Sequence, residues 1–142
     1  MSERTILPNV DDRETGPFFA AAAEGRLVYR GCLDCGRGLH PPTAHCPHCG
    51  GWNTDWKTAS GAGWLFSWTT VVRQIHPDFP APYTLVVVEL DEQPDVRLLG
   101  RLDGEPPLVP GMAMEVWFER LGPDGPTLPQ WKPATELSEG AR

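Results

Sequence analysis

The chain has 142 residues, 40% of them hydrophobic, with a formal charge of −7, enough apolar material for one ordinary domain or a small module beside a barrel-sized one. The charge is uneven: residues 60–142 carry six basic and twelve acidic side chains, and Lys57 and Lys132 are the only lysines, which counts against a protein that grips nucleic-acid phosphates. No apolar run approaches the roughly 20 residues of a membrane helix, and the opening MSERTILPNVDDRE lacks the basic and apolar regions of a signal peptide, so a cytoplasmic protein is expected.

In chain order, residues 1–14 are polar and aperiodic and read as a loose arm. TGPFFAAAAEGRL follows, with Thr15 as N-cap, Pro17 in the first turn, four alanines and Gly25 placed to stop the helix. Residues 1–26 therefore form an arm and a short helix with Phe18 and Phe19 at its start. About two turns cannot stand alone in water; the helix must dock, either on its own domain or on a partner chain.

Residues 27–59 hold every cysteine, in CLDCGRGLHPPTAHCPHCG, between strand-like LVYRG and TDWKT. Each C-x-x-C-G unit makes a tight knuckle that sets two sulfurs on one side, with glycine free to take a conformation other residues resist. Cys32 and Cys35 facing Cys46 and Cys49 complete a four-thiolate tetrahedral site, the arrangement structural zinc prefers. Iron in a rubredoxin-like site takes the same ligands, so the metal's identity stays open. A redox C-x-x-C wants an exposed thiolate at a helix N-terminus, and catalytic zinc wants an open position; neither describes two glycine-terminated knuckles. Histidine replacement by His40, His45 or His48 is unnecessary with four thiols present. One structural ion is expected, in place of a hydrophobic core that about 30 residues cannot build.

After the small-residue joint Ser60-Gly61-Ala62-Gly63, residues 60–142 are β throughout: WLFSWTTVVRQI, YTLVVVEL, VRLLGRL, MEVWFERL and TLPQWKP, separated by Pro-, Gly- and Asp-rich turns. The first strand is long enough to bend and serve two sheet edges. The fold class is mainly β: a short N-terminal helix, a rubredoxin-like zinc ribbon, and a five-stranded OB-fold barrel with a C-terminal tail. An SH3-like barrel or small sandwich fits the same pattern.

No catalytic motif is visible. His76 and Asp78, two residues apart in IHPDFP, read as a turn as readily as an acid–base pair. Trp64, Phe66 and Trp68 alternate along the first strand and share a face, either core or a stacking platform for single-stranded nucleic acid. Core packing is the favoured reading. Trp131, between Gln and Lys-Pro, is a candidate partner or ligand contact or a lid on the core.

The order of these parts resembles one family: E-G-R-L before the first knuckle, the C-x-x-C-G…P-P…C-P-x-C-G module, and the P-Y-x-x-x-x-V-E-L-D strand. It is the zinc-ribbon/OB-fold family linked to acyl-CoA metabolism, and the resemblance runs from about Gly16 to Pro133. It implies a non-catalytic subunit of a thiolase-superfamily enzyme (a thiolase, an acyltransferase or an aldolase of steroid side-chain breakdown) in a hetero-oligomer. The partner supplies the catalytic groups, and this chain stabilises the assembly and shapes the acyl-CoA site. With no fused catalytic domain in the sequence, that enzyme is expected in trans. Partner or ligand contacts are expected at Phe18, Phe19, Arg73 and Trp131, and any CoA contact of this acidic chain at Arg73, Arg97 or Arg101. The alternative is a single-strand nucleic-acid binder using Trp64, Phe66 and Trp68.

Overall fold

Two antiparallel sheets and one short helix make up residues 5–134, the part of the chain that this computed structural model describes. The expected C-terminal tail lies mostly outside the described residues.

Helix α1 (Gly16–Ala23) begins and ends where the sequence signals it, with Pro17 in the first turn. Thr15 occupies the N-cap but does not cap with its side chain; its hydroxyl bonds the Asp12 carboxylate at 3.2 Å. Gly25 takes φ 74°, and the Arg26 N–H donates to the Ala21 carbonyl at 2.9 Å, closing the helix end as a left-handed glycine permits. Ala21 and Ala22 are buried, and α1 packs on strands of both sheets. The helix therefore docks on its own chain.

The ribbon sheet has order β2-β1-β3, from β1 (Val28–Cys32), β2 (Gly38–Leu39) and β3 (Thr54–Thr58). The second sheet comprises β4 (Ala62–Val71), β5 (Tyr83–Leu90), β6 (Arg97–Asp103), β7 (Ala113–Arg120) and β8 (Thr127–Pro133), in order β6-β5-β4-β7-β8. The long β4 pairs with both β5 and β7, as a strand serving two edges must. The sheet curls in the OB manner, but the ring is not closed by a ladder. Instead β6 and β8 face one another as edges, and the Gln130 side-chain oxygen accepts the Arg101 N–H at 2.8 Å across the gap. The strands come this close because Gly100 has no side chain: a Cβ there would stand 2.9 Å from the Trp131 backbone nitrogen.

The ribbon and the barrel share one core. Leu27, Tyr29 and Ala59 pack in the same cluster as Leu65, Val86, Val88, Leu90, Met114 and Trp131. Between the two sheets, the Gly38 N–H donates to the Asp95 carboxylate at 3.0 Å, and a side chain at Gly38 would overlap Val96 and approach Gln93 to 2.8 Å. The ribbon thus rests on the β5–β6 turn.

Two expectations need correction. The arm is not loose along its described length: Asp78 accepts the backbone N–H groups of Thr5 at 2.7 Å and Ile6 at 2.8 Å. Nor do Trp64, Phe66 and Trp68 form one core-facing stripe. A β-bulge falls between Leu65 and Ser67, so Trp64 pairs with Glu89 while Trp68 falls opposite the buried Val86. The extra residue breaks the two-residue alternation, and Leu65 takes the core position.

Candidate functional site

Each knuckle is built the same way. Cys32 accepts from the Gly36 N–H at 3.0 Å and Cys46 from the Gly50 N–H at 2.9 Å, each through its backbone carbonyl. Gly36 and Gly50 both take φ 78°, the left-handed turn that brings the chain back. Strand β1 delivers Cys32 and the Thr43–Asn53 loop delivers the second pair. The four sulfurs lie within 4.8 Å of one another, with Cys32–Cys49 and Cys35–Cys46 each at 3.6 Å.

These distances fit a metal. Thiolates about 2.3 Å from zinc at tetrahedral corners are about 3.8 Å apart, whereas a disulfide needs about 2.05 Å. The electrostatics agree. The Cys35 N–H, 3.4 Å from the sulfur, is the main cause that lowers the Cys32 thiol to about 7. At Cys49 the Gly51 N–H pulls downward, but the neighbouring Cys32 sulfur, burial and the other two sulfurs together push the thiol up to about 12. Four adjacent thiolates need a cation among them to ionise together. Cys32 and Cys46 are buried, Cys35 and Cys49 exposed, so the cluster has one dry and one wet side.

Among the described residues no histidine joins the cluster. His45 packs at a tilt against exposed Trp52 with ring centroids 4.8 Å apart, and His48 is exposed. His40 packs on one side against Phe18, with centroids 6.4 Å apart, and this desolvation lowers its pKa. His76 and Asp78 form a turn: the His76 Nδ1 accepts the Asp78 N–H at 3.1 Å. The Ile6 N–H leads the hydrogen bonds that hold the Asp78 carboxyl below its usual range.

The other expected contact residues separate. Arg73 is exposed in the β4–β5 connection. Arg97 lies 3.8 Å over the Phe66 ring and bonds Glu89 at 3.2 Å. Arg101 is held by Asp103 at 3.1 Å and Glu119 at 3.7 Å, so carboxylates already engage both guanidiniums. Trp64 donates its indole N–H to Asp91 at 2.7 Å. Phe18 and Phe19 meet edge to face at 5.4 Å, and Phe18 packs against the core.

Trp131 corrects an expectation: it is fully buried, a core residue rather than an open contact. Among the described residues its Nε1–H has no hydrogen-bond partner, which ordinarily costs about 1–3 kcal/mol. It lies under a groove of about 590 Å3 on the outer face of β5 and β6, walled by the arm, Phe18, His40 and the β8 edge. Gln130 and Gly100 at this seam escaped the sequence reading. A glutamine amid the buried run of β8 was the available signal.

A four-cysteine ribbon fused through a shared core to an OB-type sheet defines the class: a small β module with a metal-binding cysteine cluster. Residues 19–53 match the family described as "ChsH2, rubredoxin-like zinc ribbon domain", and residues 56–119 match "ChsH2, C-terminal OB-fold domain". A chain of the solved Ltp2-ChsH2(DUF35) aldolase is 34% identical, with a TM-score of 0.76, over 89% of this chain and 98% of that one. The chain belongs to the ChsH2-type (DUF35) zinc-ribbon/OB-fold family. A DUF35-family protein from Sulfolobus solfataricus is 17% identical with a TM-score of 0.57, over 78% of each chain, a likeness of fold. The "probable enoyl-CoA hydratase alpha subunit" of Thermomonospora curvata is 36% identical over 129 residues. Those residues are 90% of this chain and 40% of the relative, so the chain spans well under half that protein's length.

Proposed function

We propose that this protein is a non-catalytic subunit of a thiolase-fold enzyme that makes or breaks a carbon–carbon bond in an acyl-CoA thioester. One observation carries the reading: the likeness to a chain of the Ltp2-ChsH2(DUF35) aldolase, over 98% of that chain's length. The "probable enoyl-CoA hydratase alpha subunit" of Thermomonospora curvata, a subunit by its name, supports a place in an enzyme complex.

Within that role Cys32, Cys35, Cys46 and Cys49 hold one zinc ion. Bound there, the ion supplies cohesion, because four thiolates leave it no open position for substrate or water. The cluster holds the ribbon on the β5–β6 turn. The subunit stabilises the complex and shapes the acyl-CoA entrance, with Arg73, exposed in the β4–β5 connection, as its candidate contact for the CoA phosphates.

Co-expression with a thiolase-fold protein from the same genome tests the reading. The two should co-elute on size exclusion, and the enzyme should lose activity when this chain is withheld. Separate elution with an unchanged rate would sink the proposal.

A further inference from the structure

A second hollow, of about 410 Å3, opens where the end of the arm meets the ribbon, lined by Arg13, Glu14, Arg30, Thr43, Ala44 and Trp52. Its size suits a small ligand, since such pockets run from about 300 to 1,000 Å3. Neither the cysteine cluster nor the partner reading uses these side chains.

The cations set this hollow apart. Arg26, Arg97 and Arg101 each pair with a carboxylate. Arg30 is half-buried, yet among the described residues it bonds only neutral groups. Its Nε and Nη2 donate to the Thr54 hydroxyl at 3.1 and 2.8 Å, and Nη2 also donates to the Thr54 carbonyl at 3.0 Å. The Thr54 hydroxyl is itself tied to the Ala44 carbonyl at 2.7 Å, and the Trp56 ring centre lies 5.7 Å from the guanidinium carbon. One edge of the guanidinium is thus fixed, while among the described residues the N–H groups of Nη1 have no partner. A pre-positioned cation of this kind favours a carboxylate or phosphate, whose hydrogen bonds are charge-assisted. Arg13, exposed at the end of the arm, adds a second guanidinium with no carboxylate partner among the described residues.

Trp52 supplies the other half of the site. Its ring is 74% exposed, with His45 packed at a tilt against it. Its carbonyl accepts the Thr54 N–H at 3.0 Å, so the ring is carried by the same segment that holds Arg30. An open indole face beside a free guanidinium edge suits a flat ring bearing a negative group. Glu14 decides how negative. Its carboxylate lines the same hollow in a chain of charge −7, so each further charge on a ligand meets repulsion, and a single carboxylate fits better than a phosphate dianion.

We propose that this hollow binds a small aromatic carboxylate carrying one negative charge, its carboxylate on Arg30 and Arg13 and its ring on Trp52. The inference is independent of the partner reading, because it concerns binding by this chain with no enzyme present.

The test uses the metal-loaded full chain and three probes: 2-naphthoate, its uncharged analogue 2-naphthamide, and the non-aromatic cyclohexanecarboxylate. Calorimetry should show saturable binding of naphthoate, with the other two about tenfold weaker or worse, since each lacks either the charged hydrogen bond or the stacking ring. Naphthoate should also move the Trp52 indole N–H resonance in a ¹⁵N-correlated spectrum, a signal identified by its loss in Trp52→Ala. Trp52→Ala should weaken naphthoate about tenfold. Arg30→Gln and Arg13→Gln should each weaken naphthoate and leave naphthamide unchanged. Leu99→Gln, in the apolar groove of the barrel, should alter neither. If Arg30→Gln does not fold, Arg13→Gln on the exposed arm decides. No saturable binding, naphthamide or cyclohexanecarboxylate binding as tightly as naphthoate, indifference to Trp52→Ala or Arg13→Gln, or sensitivity to Leu99→Gln would overturn the proposal.

Discussion

The amide of Gly38 donates to the carboxylate of Asp95 at 3.0 Å, tying the short ribbon strand to the β5–β6 turn of the barrel. The position leaves no room for a side chain, since a Cβ would overlap Val96 and come within 2.9 Å of the Asp95 carboxylate. Gly38→Ala should therefore separate ribbon from barrel, at about 1–3 kcal/mol as overpacking usually costs. Thermal unfolding should register a clear fall in Tm while metal content stays full. An unchanged Tm would mean that the contact yields freely.

Cys46→Ser should release the metal, about one ion per chain for a four-thiolate site, as measured with a chromophoric chelator. Because Leu27, Tyr29 and Ala59 pack with barrel residues, the loss should also weaken the near-ultraviolet signal of barrel aromatics. Full metal retention would count against the four-sulfur cluster.

Asp78 fixes the N-terminal arm through the amides of Thr5 and Ile6. Asp78→Ala should speed hydrogen exchange at those amides without moving the global Tm. The pH sign follows from the lowered pKa. A carboxyl whose folded pKa is depressed contributes fully above its unfolded value, about 3.9, and loses that contribution as pH falls through the folded one. The arm should thus stay fastened across neutral and mildly acidic pH and loosen only below the ordinary carboxylate range. Release near pH 6 would contradict this.

Gly100→Ala places a methyl against the Trp131 backbone nitrogen and its Cβ. The β6–β8 seam should part, exposing the Arg101 amide that Gln130 now covers. Faster exchange at Arg101 with slower change at central β5 amides is the expected pattern; uniform change along the barrel would argue against a weak seam.

The sequence revealed the features set by local chemistry. The knuckle glycines follow directly from the turn that each C-x-x-C demands, and TLPQWKP and YTLVVVEL match β8 and β5 residue for residue. What it hid came from long-range packing. The bulge at Phe66 depends on how β4 meets β5, so alternation alone put Trp64 and Trp68 on the same face. Nothing local to Trp131 says that Gly100, 31 positions earlier, would let it sink out of sight. The arm looked loose because its anchor, Asp78, lies 73 residues away from Thr5.

The shared core has a consequence for how such chains can be rebuilt. A cut at the Ser60–Gly63 joint looks clean on paper, yet it would divide Leu27 and Tyr29 from the residues they pack against. The ribbon is therefore no interchangeable cassette. A chimera that swaps it must bring matching partners for three apolar side chains and for the Gly38 contact, so grafting and deletion should fail where point changes on the exposed knuckles succeed.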